Sequence, residues 1–251
     1  MAQENPDPRS APDRWRTLAG LSAVIALSFS ASVFAEAVGT ITHSSGTVSV
    51  KRADGSSKLL GLRSEVHEGD QISTQSDTYT RVKFRDGGEL TLRPNSQVQV
   101  ANYAFTESAP EKDNIVINLF KGGLRALSGL IGKRNRDNVA YKTPTATIGI
   151  RGTNFGLLFC QNDCAEVPTV SGQPPQNGLH LDVANGEIVA SNPGGTLNFT
   201  VGQFGFVGGP NTPPVLVPPT DGIRVTIPAG FKTGGSGRGV GKDSGDQCAI
   251  Q

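Results

Sequence analysis

Apolar residues in this chain come in short runs, each closed within a few residues by a glycine, a proline or an Asp-Gly pair, and that punctuation favours many short strands over long helices. Thr47-Val48-Ser49-Val50 leads into Asp54-Gly55 and returns as Lys58-Leu59-Leu60, the pattern of a hairpin. A clearer hairpin follows. Arg81-Val82-Lys83-Phe84, then Asp86-Gly87-Gly88, then Leu90-Thr91-Leu92 puts Val82, Phe84, Leu90 and Leu92 on one face. Pro94-Asn95-Ser96 ends it, and Val98 and Val100 open another strand. Thirty-two glycines and sixteen prolines against one methionine fit the same reading. The expected class is all-β: a solenoid-like or barrel-like domain of short strands and hairpins, with a smaller β extension.

With 251 residues, of which 36% are hydrophobic, the chain can bury a full core. Its centre is expected at Asn114-Ile115-Val116-Ile117-Asn118-Leu119-Phe120, after which Gly122-Gly123 turns the chain into Leu124-Arg125-Ala126-Leu127. The basic stretch 128–138 reads as an exposed loop, Val139 to Lys142 as a strand, and Thr143-Pro144 as its break. Gly46 and Gly55 share a spacing with Gly186 and Gly195, which suits either two related β turns or two ordinary hairpins. Beyond Pro210, Pro213-Pro214 and Pro218-Pro219 precede one possible strand, Ile223 to Ile227, and a glycine-rich end. The organisation expected is an export signal over 1–35, a β domain over 36–159, a β extension over 160–210 and a partly flexible tail over 211–251.

The export signal rests on Arg14 and Arg16 before an apolar stretch from Leu18 to Ala35 that ends in Val33-Phe34-Ala35. Retention of the same stretch as a single-span anchor is the alternative, and only then is a membrane a partner. Periplasm or cell envelope is the expected location, or the inner membrane with the β domain facing the periplasm. Without residues 1–35 the chain carries twenty Lys and Arg against nineteen Asp and Glu, so no strong field favours nucleic acid. Lys133-Arg134-Asn135-Arg136 is the densest basic cluster, expected to be a solvated loop, with anionic glycans or headgroups as the other option. Export places cysteines in an oxidising compartment, where Cys160 and Cys164 are expected to pair and leave Cys248 over, with a bond from Cys248 to either of them as the alternative.

Catalytic signatures are missing. Gly237-Arg238-Gly239-Val240-Gly241-Lys242 has Ser236 and Asp243 where a phosphate loop needs Gly and Ser or Thr. His43, His67 and His180 lie far apart in strand or turn contexts and are expected to be surface or half-buried residues. Glu65, Glu68 or Asp70 facing Asp86 or Glu89 would suit a glycoside hydrolase, although most such acids are turn residues. The expectation is a protein that is no enzyme and needs no cofactor or metal. Arg151, between Gly149 and Gly152, is expected to tie neighbouring carbonyls or a carboxylate such as Asp70 or Asp86, with ligand contact as the alternative.

Read in order, Gly69-Asp70, Phe84-Arg85-Asp86-Gly87-Gly88, Pro94-Asn95-Ser96, Lys121-Gly122-Gly123-Leu124-Arg125, Thr143-Pro144-Thr145-Ala146 and Ile150-Arg151-Gly152-Thr153 resemble the FecR domain, the periplasmic module of iron-dicitrate-type sensors. The resemblance implies a β-rich sensing or binding module and brings no catalytic residues. In the family's transmembrane regulators a cytoplasmic helical anti-sigma segment precedes the module. Residues 1–17 here are too few and too polar for one. The leading expectation is therefore an exported module that binds an envelope protein or a cell-wall glycan, and the alternative is a membrane-tethered regulator of signal transduction. Gly69, Asp70, Asp86, Gly87, Arg151, Gly152 and Thr153 are the motif residues to locate, with structural roles favoured for Asp70, Asp86, Arg151 and Thr153.

Overall fold

The computed structural model describes residues 36–170 and 172–231, so the export segment expected over 1–35, Cys248 and the glycine-rich end lie outside the described residues. The first strands are β1 (Ala37–Ser44), β2 (Val48–Lys51), β3 (Ser57–Leu60), β4 (Glu65–His67) and β5 (Gln71–Thr74). Next come β6 (Thr80–Phe84), β7 (Glu89–Leu92), β8 (Gln97–Ala104) and the long β9 (Asn114–Leu127). A short helix, α1 (Leu130–Arg134), and a 3-10 turn (Arg136–Asn138) lead to β10 (Val139–Lys142). Two more long strands, β11 (Thr147–Cys160) and β12 (Gly178–Asn192), precede β13 (Gly195–Thr200), β14 (Phe204–Val207) and β15 (Val215–Val217).

The three long strands organise everything else, because each takes part in two arms of one open sheet. The last halves of β9 and β11 pair with each other and with β7 and the first half of β12, and β14, β15, β6, β1 and β4 extend that arm. The first halves of β9 and β11 flank β10, and β8, β5, β2 and β3 on one side and the end of β12 with β13 on the other complete the second arm. Each long strand changes arms at a glycine in the left-handed region: Gly122 at φ 74°, Gly152 at φ 62° and Gly186 at φ 76°. A side chain there is strained by its own backbone. At Gly186 it would also collide with the carbonyl oxygen of Gly152, so two of the three bends are packed directly on each other.

Both arms turn their apolar faces into one core, which joins Ile41, Val82, Leu90 and Leu124 of the first arm to Val50, Ile72, Val98 and Ile148 of the second. Burying one such side chain stabilises by about 1.5–3 kcal/mol. Phe155, fully buried just past the β11 bend, meets Tyr141 edge-on at 4.9 Å between ring centroids. The all-β expectation holds, but the barrel alternative does not: β4 and β15 end the first arm without meeting, and a barrel requires first and last strands to pair. The two glycine-spaced units are both hairpins, β2–β3 and β12–β13, and they lie at opposite edges of the second arm.

Two local expectations are corrected. Ile223 to Ile227 forms no strand. Its backbone is held by side chains instead, Val225 N–H donating to Asp182 Oδ1 at 2.9 Å and Val225 C=O accepting from Arg125 Nε at 2.8 Å. Ile223 and Val225 thereby join Leu158, Cys160 and Cys164 in a second, small apolar cluster. The stretch 128–138 is no free loop either: it contains α1 and the 3-10 turn, and Asp113 fastens both from below. Among the described residues no helix is long and apolar enough to cross a membrane.

Candidate functional site

Gly69 and Asp70 form the turn between β4 and β5. Gly69 takes φ 84° and donates its amide to the Val100 carbonyl at 2.7 Å, which pins the turn to β8. Asp70 is 1% exposed and accepts from the His67 amide at 2.7 Å and from the Arg52 guanidinium. Arg52 also donates to His67 Nδ1 at 2.6 Å and to the Glu65 carbonyl at 3.1 Å. Burial pushes the Asp70 carboxyl above its ordinary pKa, against the pull of the His67 amide and the Arg52 charge. Its Oδ1 has no partner among the described residues.

Asp86 closes the β6–β7 hairpin with Gly87 at φ 80°. Its carboxylate accepts from the Gly88 amide at 3.1 Å, from the Tyr103 hydroxyl at 3.4 Å and from the Ile131 amide at 3.2 Å, and its carbonyl accepts from the Leu130 amide at 2.9 Å. It therefore ties the hairpin to the start of α1, the reason a side chain at Gly129 would collide with it. Burial, reinforced by the nearby Asp86 charge, pushes the Tyr103 hydroxyl well above its ordinary range and keeps it a neutral donor. Thr153 plays a similar part from β11: it is 2% exposed, its amide donates to Ser128 Oγ at 2.9 Å and its carbonyl accepts from the Ser128 amide at 3.0 Å. These residues tie turns and strands to one another.

Arg151 does not. Its side chain is exposed and makes no hydrogen bond or ion pair among the described residues, because Asp70 is held by Arg52 and Asp86 by main-chain amides and Tyr103. Its strand position, just before the Gly152 bend, carries it toward Lys133, Arg134 and Arg136, with which it lines a groove of about 700 Å³. The expectation that Arg151 ties a neighbouring carboxylate is thus corrected: the bend turns it away from the motif acids.

Arg125 with Asp182 is a buried ion pair that sequence reasoning missed. Arg125 Nη2 donates to both carboxylate oxygens of Asp182, at 2.8 and 2.5 Å, Nη1 to Asn154 Oδ1 at 2.8 Å, and Nε to the Val225 carbonyl. Both side chains are nearly buried, 13% and 4% exposed. A signal existed. Asp182 interrupts Leu179-His180-Leu181-Asp182-Val183, a run that is otherwise apolar or aromatic, and a carboxylate there needs a cation.

Cys160 and Cys164 are joined by a disulfide, as expected. His180 is 8% exposed, more buried than expected, because Phe206 packs on its ring at 4.8 Å between centroids. Its Nε2–H donates to the Gln176 carbonyl at 2.8 Å, and burial lowers its pKa below the ordinary value. His43, His67 and His180 occupy three separate strands, and no cluster of acids, cysteines and histidines among the described residues could hold a metal ion.

A family model described as FecR protein matches residues 70–173, so the resemblance drawn from the motifs is shown over that stretch, from Asp70 to just past the disulfide. No curated protein matches the chain. Two crystal structures of a candidate anti-sigma factor from Parabacteroides distasonis ATCC 8503 align at 13% identity, with TM-scores of 0.43 and 0.42. Each alignment covers 59% of this chain and 58% of the other, so the match spans less than two thirds of those proteins. A cell surface anchoring domain aligns at 26% identity with a TM-score of 0.25, over 26% of this chain and 84% of that domain.

Proposed function

We propose that this protein is a non-catalytic regulator of signal transduction at the bacterial envelope, with the β domain as the part that receives the signal. The observation that carries this reading is the FecR match over residues 70–173. Within that stretch Asp70, Asp86 and Thr153 hold turns and strands in place, which suits a rigid recognition scaffold. A glycoside hydrolase would need two carboxylates facing one sugar, whereas Asp70 and Asp86 serve separate turns with separate partners. Because the family that matches is the sensing module of signal-transduction regulators, the regulator is preferred to the free binding module.

Deleting the gene and comparing transcripts with a complemented strain tests the proposal. A compact set of genes that changes on deletion and returns on complementation is the expected result. An unchanged transcript profile, together with loss of a crosslinked envelope component, would transfer the case to the binding module. One observation favours that second reading: Leu59, on edge strand β3, and Leu62, in the turn just after it, are 74% and 63% exposed, where an added strand from an envelope protein would find both hydrogen-bonding groups and apolar contact. In either case the protein works outside the cytoplasm. The intact mass of the native protein after cell fractionation separates a cleaved, free form from one retained in the inner membrane.

A further inference from the structure

We infer that the groove between α1, the 3-10 turn after it and the first half of β11 is a binding site for a phosphate-bearing ligand, contacted by Lys133, Arg136 and Arg151. These three cations and Arg134 line one groove with a single carboxylate, Asp137. Arg134 is already engaged, its Nε donating to Asp113 Oδ2 at 2.8 Å while its guanidinium sits 5.0 Å from the Phe105 ring centroid. The side chains of Lys133, Arg136 and Arg151 are exposed and have no hydrogen bond or ion pair among the described residues. Glu187 stands opposite Arg151 in the β11–β12 register, but it accepts from Asn198 Nδ2 at 2.9 Å and forms no ion pair with the arginine.

An ordinary basic surface is mobile and interleaved with acids. This one is fastened from beneath. Asn135 Nδ2 donates to the carbonyls of Pro110 and Asp113 at 3.2 and 3.1 Å, Asn138 Nδ2 donates to the Asp113 carbonyl at 3.0 Å, and the Asp113 carboxylate, fully buried, receives Arg134 and the Thr106 amide. On the opposite wall Arg151 projects from a long strand, between glycines where an added Cβ would meet nothing within 4 Å. The fold thus holds like charges together in one concavity and supplies one carboxylate against them. A phosphate ester, with up to two charges and several acceptor oxygens, matches that excess better than a lone carboxylate, and two guanidinium forks can grip it bidentately. A soluble sugar phosphate and a phospholipid headgroup share this chemistry.

The test titrates the purified full-length chain with inorganic pyrophosphate and glucose 6-phosphate by calorimetry, and measures cosedimentation with phosphatidylglycerol against phosphatidylcholine vesicles. Three forms are compared: the native chain, a Lys133→Ala, Arg136→Ala, Arg151→Ala variant, and a control lacking three other exposed cations, Lys51→Ala, Lys58→Ala, Lys83→Ala. The expected result is that native and control chains bind alike while the groove variant binds about tenfold or more weakly with an unchanged melting curve. Binding of the soluble phosphates identifies a free ester; a preference confined to phosphatidylglycerol vesicles identifies a headgroup. If the triple variant loses its fold, Arg151→Ala and Arg151→Lys replace it, with the lysine expected to retain more affinity than the alanine. The inference is overturned if the native chain binds none of the probes, if the groove variant binds as well as native, or if the control loses as much.

Discussion

Arg125 and Arg151 each stand beside glycines on a long strand, within the stretch that matches the FecR model, yet they have opposite surroundings. Arg125 is enclosed where β9, β11, β12 and the segment around Val225 meet, and its guanidinium is bonded to a carboxylate, an amide side chain and a main-chain carbonyl. Arg151 lies on the other side of the β11 bend, exposed, beside three more cations. The contrast shows that a bent strand can serve two ends: one half builds the interior and the other presents charge. A buried, fully bonded cation fixes packing, whereas an exposed, unpaired one remains available to a ligand.

The sharpest way to break this contrast is Asp182→Ala, which strands the Arg125 charge in a nearly buried site and is expected to cost about 3–5 kcal/mol in urea denaturation. A loss under 1 kcal/mol would mean that water reaches the guanidinium freely. The bend between the two halves comes next. Gly186→Ala meets both a left-handed backbone and the Gly152 carbonyl, so about 2–4 kcal/mol is expected, against about 1 kcal/mol for Gly152→Ala, which has open space. Equal losses would show that backbone strain alone decides.

A smaller effect should appear with pH on the interior side. His180 has a lowered pKa when folded, so below its ordinary value of 6.5 the unfolded chain takes up the proton first. Its contribution is fully present above that value and is lost as pH falls through the folded pKa. Denaturation midpoints at about pH 7.5 and about pH 5 should therefore differ less in His180→Phe than in the native protein. The smallest effect is expected on the other side of the bend: Arg151→Ala should leave the melting temperature unchanged, and a clear drop would restore a structural role for this arginine.

Much of the fold was legible. Alternation and Asp-Gly turns located the β6–β7 hairpin correctly, and the apolar run around Ile117 located a core strand, because both signals are local. The candidate site was legible in part. The motifs marked Gly69, Asp70, Asp86, Gly87 and Thr153 as residues to locate, but not the partners that hold them, since Asp70 reaches Arg52, Asp86 reaches Ile131 and Thr153 reaches Ser128 from other segments. The Arg125 network was missed because its partners lie 29, 57 and 100 residues away, beyond any spacing rule. Stretch 128–138 was misread for the same reason, since Asp113 holds it from another segment.

By itself the amino-acid sequence determined the all-β class and the main hairpin turns, since each depends on residue type within a short window, and the FecR resemblance, through the order of several such windows. Only the tertiary structure decided which arginine is interior and which is offered to solvent, whether the sheet closes, and what holds the backbone around Val225. Those outcomes depend on where three strands bend, and a bend directs a side chain inward or outward only once the strands beside it are in place.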